Sequence, residues 1–393
     1  MTDQTFELNR NNKVLPLVMI AIGIVAVAVG FMSDPTRTWA SLLISNFYFN
    51  AIALAGLFFV AVQMIAQSGW SAGLIRIPEA MAGFMKYGMV GMILIFAFGH
   101  HDLYHWTHPE LYDKASPEYD AILDGKSGFL NMTFYSIRLV AYALIWVGFA
   151  WMIRKKSLEE DREGGLEPYR RKMVLSAVFV VLFAVTSSTS AWDFLMSIDS
   201  HWFSTLFGWY TFAGLFVSGM SMLALLTLYL KRRGYMTHIN ENHLHDVGKF
   251  MFAFSVFWTY LWFSQFMLIW YANLPEEVIY YQTRWTYFKK LWAGNFIINF
   301  IVPFLVLMTR DAKRKVQILW VAGIIIIGGH WIDVYVMVTP GTVGAHWHIG
   351  FIEVGTFIGY LGLFLFSTYR ELSKAPLVPK NHPMLTESLH HHI

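Results

Sequence analysis

Ten stretches of about twenty apolar residues recur along this chain, and they leave it essentially one way to fold. They lie at about 14–32, 41–67, 82–101, 131–153, 172–193, 206–230, 248–271, 289–308, 316–338 and 348–369. Each is long enough to cross the ~30 Å hydrocarbon layer of a bilayer as an α-helix. A helix satisfies its own backbone N–H and C=O groups, which lipid cannot do, so the sequence predicts an all-α integral membrane protein forming a single transmembrane domain over 1–393. Composition agrees: 56% of residues are hydrophobic and 14% charged, whereas soluble domains carry about a quarter charged residues. Gly23, Gly56 and Pro303 inside these runs are tolerable because neighbouring helices can re-satisfy the freed backbone groups.

Loop charge predicts the orientation. Of the 29 Lys and Arg, only Arg37, Lys114, Lys126, Arg138, Arg284, Lys289 and Lys290 fall on one side of the ten crossings. The crowded side is expected to be cytoplasmic, with both chain ends on it. The largest loop of the opposite side, about 102–130, is acidic and His-rich. The polar start MTDQTFELNRNNK lacks the features of a removable signal peptide, so the first apolar run is expected to be retained. No cysteine is present, which excludes disulfides, thiolate-held iron–sulfur clusters and c-type haem attachment in this chain.

An internal repeat is visible. Ala55-Gly56-Leu57-Phe58 in the second span recurs as Ala213-Gly214-Leu215-Phe216 in the sixth. Lys86 and Lys249 enter the third and seventh spans in register, and Trp192-Asp193 closes the fifth as Ile332-Asp333 closes the ninth. Corresponding spans run the same way. The expectation is two parallel four-helix bundles, spans 2–5 and 6–9, with two flanking helices.

Ionisable groups in spans are costly and therefore candidates for function. They gather in the outer half: His100, His101, Asp102, Arg138, Asp193, His330, Asp333, His348 and Glu353, with Asp199, His201 and His346 in adjoining loops. The inner halves read as comparatively clean. His330 and Asp333 are i,i+3 neighbours, and helical spacing also puts His101 and His105 together with Asp102 near His105. A His beside a carboxylate suits proton exchange. The bland alternative is that each pair merely ties helices together.

Other readings of the histidines fare worse. His101 and His330 could serve as a bis-His haem b pair only if they faced each other at one depth. A di-iron oxygenase needs its His boxes on one side, whereas His100, His101 and His105 lie opposite His243 and His245. His101, His105 and His108 have ligand spacing for zinc on a helix, but no H-E-x-x-H motif accompanies them, and no metal is expected. His390-His391-His392 reads as a tail feature. The aromatic stretches 202–212 and 258–271 fit either interface belts or a ring-binding cradle; Tyr260 and Gln265, with Asp193 and His201, favour a lined pocket.

The segments Trp192-Asp193-Phe194-Leu195-Met196-Ser197-Ile198-Asp199-Ser200-His201-Trp202-Phe203-Ser204-Thr205 and Phe263-Ser264-Gln265-Phe266-Met267-Leu268-Ile269-Trp270-Tyr271-Ala272-Asn273-Leu274-Pro275-Glu276-Glu277 carry a resemblance. They resemble the NrfD-like, polysulfide-reductase-type membrane subunits of bacterial alternative complex III, over essentially the whole chain. Gly99-His100-His101-Asp102-Leu103-Tyr104-His105 and the short N-terminus resemble the ActF type. The resemblance implies a respiratory quinol:cytochrome c, or quinol:acceptor, oxidoreductase of the bacterial inner membrane. Its quinol (menaquinone or ubiquinone type) binds near the periplasmic surface, and polar helix residues conduct protons. Implied partners are a paralogous ActC-type subunit, an iron–sulfur subunit, c-type haem subunits, small membrane subunits and a terminal oxidase. Haem and iron–sulfur cofactors would belong to those partners, phospholipids would surround the chain, and no nucleic acid is involved.

On this reading Asp193, His201, His330 and Asp333 accept protons or contact quinol. Tyr260, Gln265 and Arg138 bind the head group, and His101, Asp102, His105, His348 and Glu353 form a proton path. The alternatives are a non-catalytic scaffold for peripheral redox subunits and, less favoured for want of a polar pathway through both halves, a secondary transporter.

Overall fold

The computed structural model describes residues 4–392. Among them are ten helices long and apolar enough to cross a membrane. In chain order these are α1 (Arg10–Ser33), α2 (Pro35–Ile65), α3 (Met85–Leu103), α4 (Met132–Glu163) and α5 (Glu167–Phe194). There follow α6 (Leu206–Arg232), α7 (Glu241–Ala272), α8 (Lys289–Leu307), α9 (Val316–Thr342) and α10 (Phe351–Leu372). A short helix Arg76–Ala82 leads into α3, and another, Pro275–Tyr287, caps the turn between α7 and α8. Among the described residues the one β-type pairing is an isolated Thr5–Pro376 bridge. The chain is an all-α, multi-pass integral membrane protein.

The helices outrun the apolar stretches where polar groups extend them. α2 starts at Pro35 because Asp34 caps it, accepting the Arg37 N–H at 3.0 Å, with proline in the first turn where no N–H is needed. α4 continues to Glu163 through a charged turn held from the side: Lys172 meets Glu160 and Arg76 meets Asp161 and Ser157. α3 stops at Leu103, where Tyr104 turns extended (φ −123°, ψ 98°). His105 therefore leaves the helix, and the i,i+4 relation expected between His101 and His105 does not form.

Helices α2–α5 pack as one four-helix unit and α6–α9 as another, joined through α2 and α6. These two central helices have 83% and 89% of their apolar windows buried, against 72% for α9 and 22% for α1, so they are the most enclosed. α1 and α10 pair outside against α2. A Cβ on Gly23 would stand 2.5 Å from the Gly359 Cα, and one on Gly355 would stand 2.4 Å from the Ala26 Cβ. Small residues thus set the backbone separation, as in lipid, where close packing replaces hydrophobic drive. Both described chain ends lie on the Lys/Arg-rich face, where the Leu377 N–H donates to the Gln4 carbonyl at 3.0 Å.

α8 is interrupted by a π turn at Ile297–Ile301, just before Pro303. Proline cannot donate to the carbonyl four residues back, and the widened turn absorbs that lost bond. Asn299 sits inside the π turn and Asn295 one turn before it, both buried and facing α9.

Candidate functional site

Each four-helix unit presents one aspartate near the far end of its last helix, on the face opposite the basic loops. In the first unit this is Asp193 on α5, 1% exposed. Arg138 of α4 donates to both its oxygens, Nε at 2.8 Å and Nη2 at 2.7 Å, and the Tyr142 hydroxyl donates at 2.6 Å. The guanidinium lies between Phe129 and Phe134, 4.0 and 4.2 Å from their ring centres. This carboxylate is neutralised by a bidentate pair and saturated with donors.

The second unit answers differently. Asp333 on α9 is equally buried, but its donors are neutral: the Tyr210 hydroxyl from α6, Trp258 Nε1 from α7 at 3.0 Å and Asn295 Nδ2 from α8 at 2.6 Å. Asn295 is held in turn by Asn299 of the π turn. Where the first unit places Arg138 and Tyr142 at i,i+4 on its third helix, the second places Asn295 and Asn299. The one side chain able to carry a positive charge within 4 Å of Asp333, among the described residues, is His330, with Nδ1 3.8 Å from Oδ2, outside hydrogen-bonding distance. His330 is enclosed, its ring edge-on to Trp258, and neither ring nitrogen has a hydrogen-bond partner. Gly214 of α6 makes room for it, since a Cβ there would lie 3.3 Å from Nδ1.

Asp333 also lines a narrow crevice, together with Gln265 of α7, Asn295 and Trp292 of α8, and Tyr280, Tyr281 and Arg284 of the capping helix. Gln265 is 3% exposed, and its Oε1 accepts from nothing. The free space at the centre is about 20 Å³, room for a water molecule but not for an aromatic ring. The cap is fastened by Arg284, whose Nη2 bonds Asp199 at 2.9 Å and the Met337 carbonyl at 3.1 Å, with its guanidinium 3.3 Å over the Tyr280 ring. Asp199 belongs to the turn that ends the first unit, so Arg284 ties the two units together over the crevice.

The remaining residues singled out in the sequence divide by place. Gln265, His330 and Asp333 come together; Arg138 and Asp193 form the separate pair of the first unit. Tyr260 faces outward from α7, 64% exposed, rather than toward Gln265. His201 sits in an outer loop, bonded to Asp120 at 2.5 Å, with Lys126 donating to its carbonyl. His101 is exposed and stacks on His108 at 4.0 Å, His105 is exposed beside it, and Asp102 accepts from Thr36 at 2.8 Å. Among the described residues no group of three or more ligand side chains could hold a metal. Glu353 is bidentate to Arg37, at 2.5 and 2.7 Å, and accepts the Gly350 N–H, tying α10 to α2; the His348 side chain is exposed in the loop before α10.

Tyr210, Trp258, Asn295, Asn299 and Arg284 escape a search restricted to ionisable groups inside spans. The i,i+4 asparagines of the eighth span, followed by proline, are the signal that would have found two of them. The end of the spans on the basic face is also less clean than its sequence suggests. Arg76, Glu79, Arg154, Ser157, Glu160 and Lys172 form a buried ionic cluster where α4, α5 and the short helix meet. Comparison with family models and with curated proteins finds no match.

Proposed function

We propose that this chain is the membrane subunit of a respiratory quinol:acceptor oxidoreductase, and that its second four-helix unit receives the quinol head group at Asp333. The observation that carries this reading is the contrast between the two aspartates. Asp193 is already paired with a guanidinium, whereas Asp333 has neutral donors and lines one crevice with Gln265, whose acceptor is free; His330, with both nitrogens free, stands behind Asp333 one helical turn away. A quinol carries two hydroxyl groups on its ring, each with one proton to give. Gln265 Oε1 would accept one hydroxyl and Asp333 the other, Asn295 and Tyr210 hold Asp333 oriented, and of the two protons released with the two electrons Asp333 takes one and His330 behind it the other. Electrons would leave to cofactors of partner subunits on the same face.

Entry of a ring requires the capping helix Pro275–Tyr287 to move, since the crevice as it stands admits only water. Arg284 is the fastening that must yield. The resemblance to NrfD-like subunits of alternative complex III supports the class of reaction, and the excess of Lys and Arg on one face supports placing that face in the bacterial cytoplasm. The partners are then an ActC-type paralogue, an iron–sulfur subunit and c-type haem subunits.

The test is quinol oxidation by the purified assembly. Asp333→Asn and Gln265→Leu should each lower turnover about 10²-fold while the assembly stays intact. Full turnover in Asp333→Asn would sink the assignment. The small crevice favours one second reading, a scaffold that anchors redox partners without turning quinol over. An azido-quinone photolabel that never marks residues 258–295 in the intact assembly would select it.

A further inference from the structure

A second, much larger cavity opens at the basic face, between the start of α3, the charged end of α4 and the segment after α10. Its volume is about 760 Å³. One wall is apolar and belongs to the spans: Val147, Ala150 and Trp151 of α4 face Met85 of α3. The other wall is strongly basic, with six Lys or Arg side chains against three carboxylates.

Those carboxylates are all engaged. Glu79 is held by Arg76 and Arg154, Asp161 by Arg76, and Glu371 by Lys86 and Lys374, at 3.0 and 2.7 Å. Lys155 and Arg162, both exposed at the rim, have no carboxylate within ion-pair distance among the described residues. Lys155 instead stands 5.1 Å over Trp151, one turn away on α4. Trp151 is 64% exposed and lies at the boundary between the apolar and basic walls, where tryptophan marks the depth of lipid head groups.

We propose that this cavity binds the phosphate head group of an anionic phospholipid from the leaflet on the basic face. Its acyl chains would run along Val147 and Ala150 onto the exposed flank of α4, where Leu144 is 71% exposed. Lys155 and Arg162 supply charge not taken up in an ion pair, and Arg154, fixed by Glu79, supplies a rigid donor at the base. A cavity with one wall of each kind suits an amphipathic ligand. A soluble anion would leave the apolar wall in contact with water, and a zwitterionic lipid would leave two cations uncompensated.

The test uses the full chain purified in detergent, supplied in turn with phosphatidylglycerol, phosphatidylcholine and inorganic phosphate, with retained lipid counted by native mass spectrometry. Retention of phosphatidylglycerol in preference to phosphatidylcholine is expected, reduced about tenfold or more in the double variant Lys155→Gln/Arg162→Gln. Both positions are exposed, and an unchanged melting temperature of the variant would separate lost binding from lost folding. Equal retention of the two lipids, undiminished retention by the variant, or displacement of the lipid by millimolar inorganic phosphate would each overturn the proposal.

Discussion

Arg138 and Asp193 meet through two parallel hydrogen bonds, 2.8 and 2.7 Å long, in a pair sealed from solvent by Phe129 and Phe134. Removing one partner strands the other charge in a medium that cannot solvate it. Arg138→Ala should cost about 3–5 kcal/mol of stability, while removing both charges with Arg138→Met/Asp193→Leu should cost much less. Thermal unfolding in detergent of the two singles and the double checks this. A double variant no more stable than either single would contradict it.

Asp333 predicts the opposite balance. Its donors are Tyr210, Trp258 and Asn295, none of them cationic, so Asp333→Asn leaves no charge behind. The change should cost about 1–2 kcal/mol through rearranged hydrogen bonds, well below the cost at Arg138. Quinol turnover should fall far more than stability, and comparing the two readouts for Asp333→Asn separates a reacting group from a packing one.

Arg37 and Glu353 join α2 to α10 across a buried contact. Glu353→Gln leaves the Arg37 guanidinium with no counter-charge, only neutral acceptors: the new amide oxygen and the His348 carbonyl at 3.3 Å. About 3 kcal/mol should be lost, and proteolysis of the 343–350 loop should accelerate. If Glu353 carries protons, turnover would fall with no change in melting temperature; loss of stability with turnover intact identifies a tie between helices.

The α1–α10 pair depends on absent side chains. Gly359→Leu drives a side chain into Gly23 at a place where even a Cβ would stand 2.6 Å from the facing Cα. The two helices must separate, with a cost on the order of 1–3 kcal/mol or more. Cysteines placed at facing positions one turn away from the Gly23–Gly359 contact should cross-link in the otherwise cysteine-free chain, and a Gly359→Leu background should abolish that cross-link.

His382, in the segment after α10, packs edge-on against Tyr169 with its ring buried on the basic face. Burial, reinforced by the nearby positive charge of Lys172, pushes its imidazole down to about 3 from the ordinary 6.5. The released segment therefore binds one proton more than the docked one between those values. Docking contributes fully above about pH 6.5 and weakens as the pH falls toward 3. Hydrogen exchange of residues 376–390 should speed up on acidification over that window, and His382→Phe should flatten the dependence.

The sequence by itself determined the number and course of the crossings. Apolar runs of bilayer length admit only helices, because no other backbone conformation satisfies its own polar groups in lipid. It also singled out Asp193, Gln265, His330 and Asp333 as candidates, since burying polar groups in lipid demands a reason, and the fold buries all four. It could not say which groups would meet. Asp193 finds Arg138 and Asp333 finds Asn295 only because separate helices bring them together, across 55 and 38 positions of sequence. Tyr260 turned outward and Gln265 inward because helical rotation is set by packing against α6 and α8, not by the polarity of one residue. Arg284 was legible only as an outer-loop charge, and the fold made it the tie between two units. Nor could the basic loops reveal that their acids pair elsewhere and leave Lys155 and Arg162 with no carboxylate at ion-pair distance, because pairing is a property of distance, which hydropathy and charge counts do not contain.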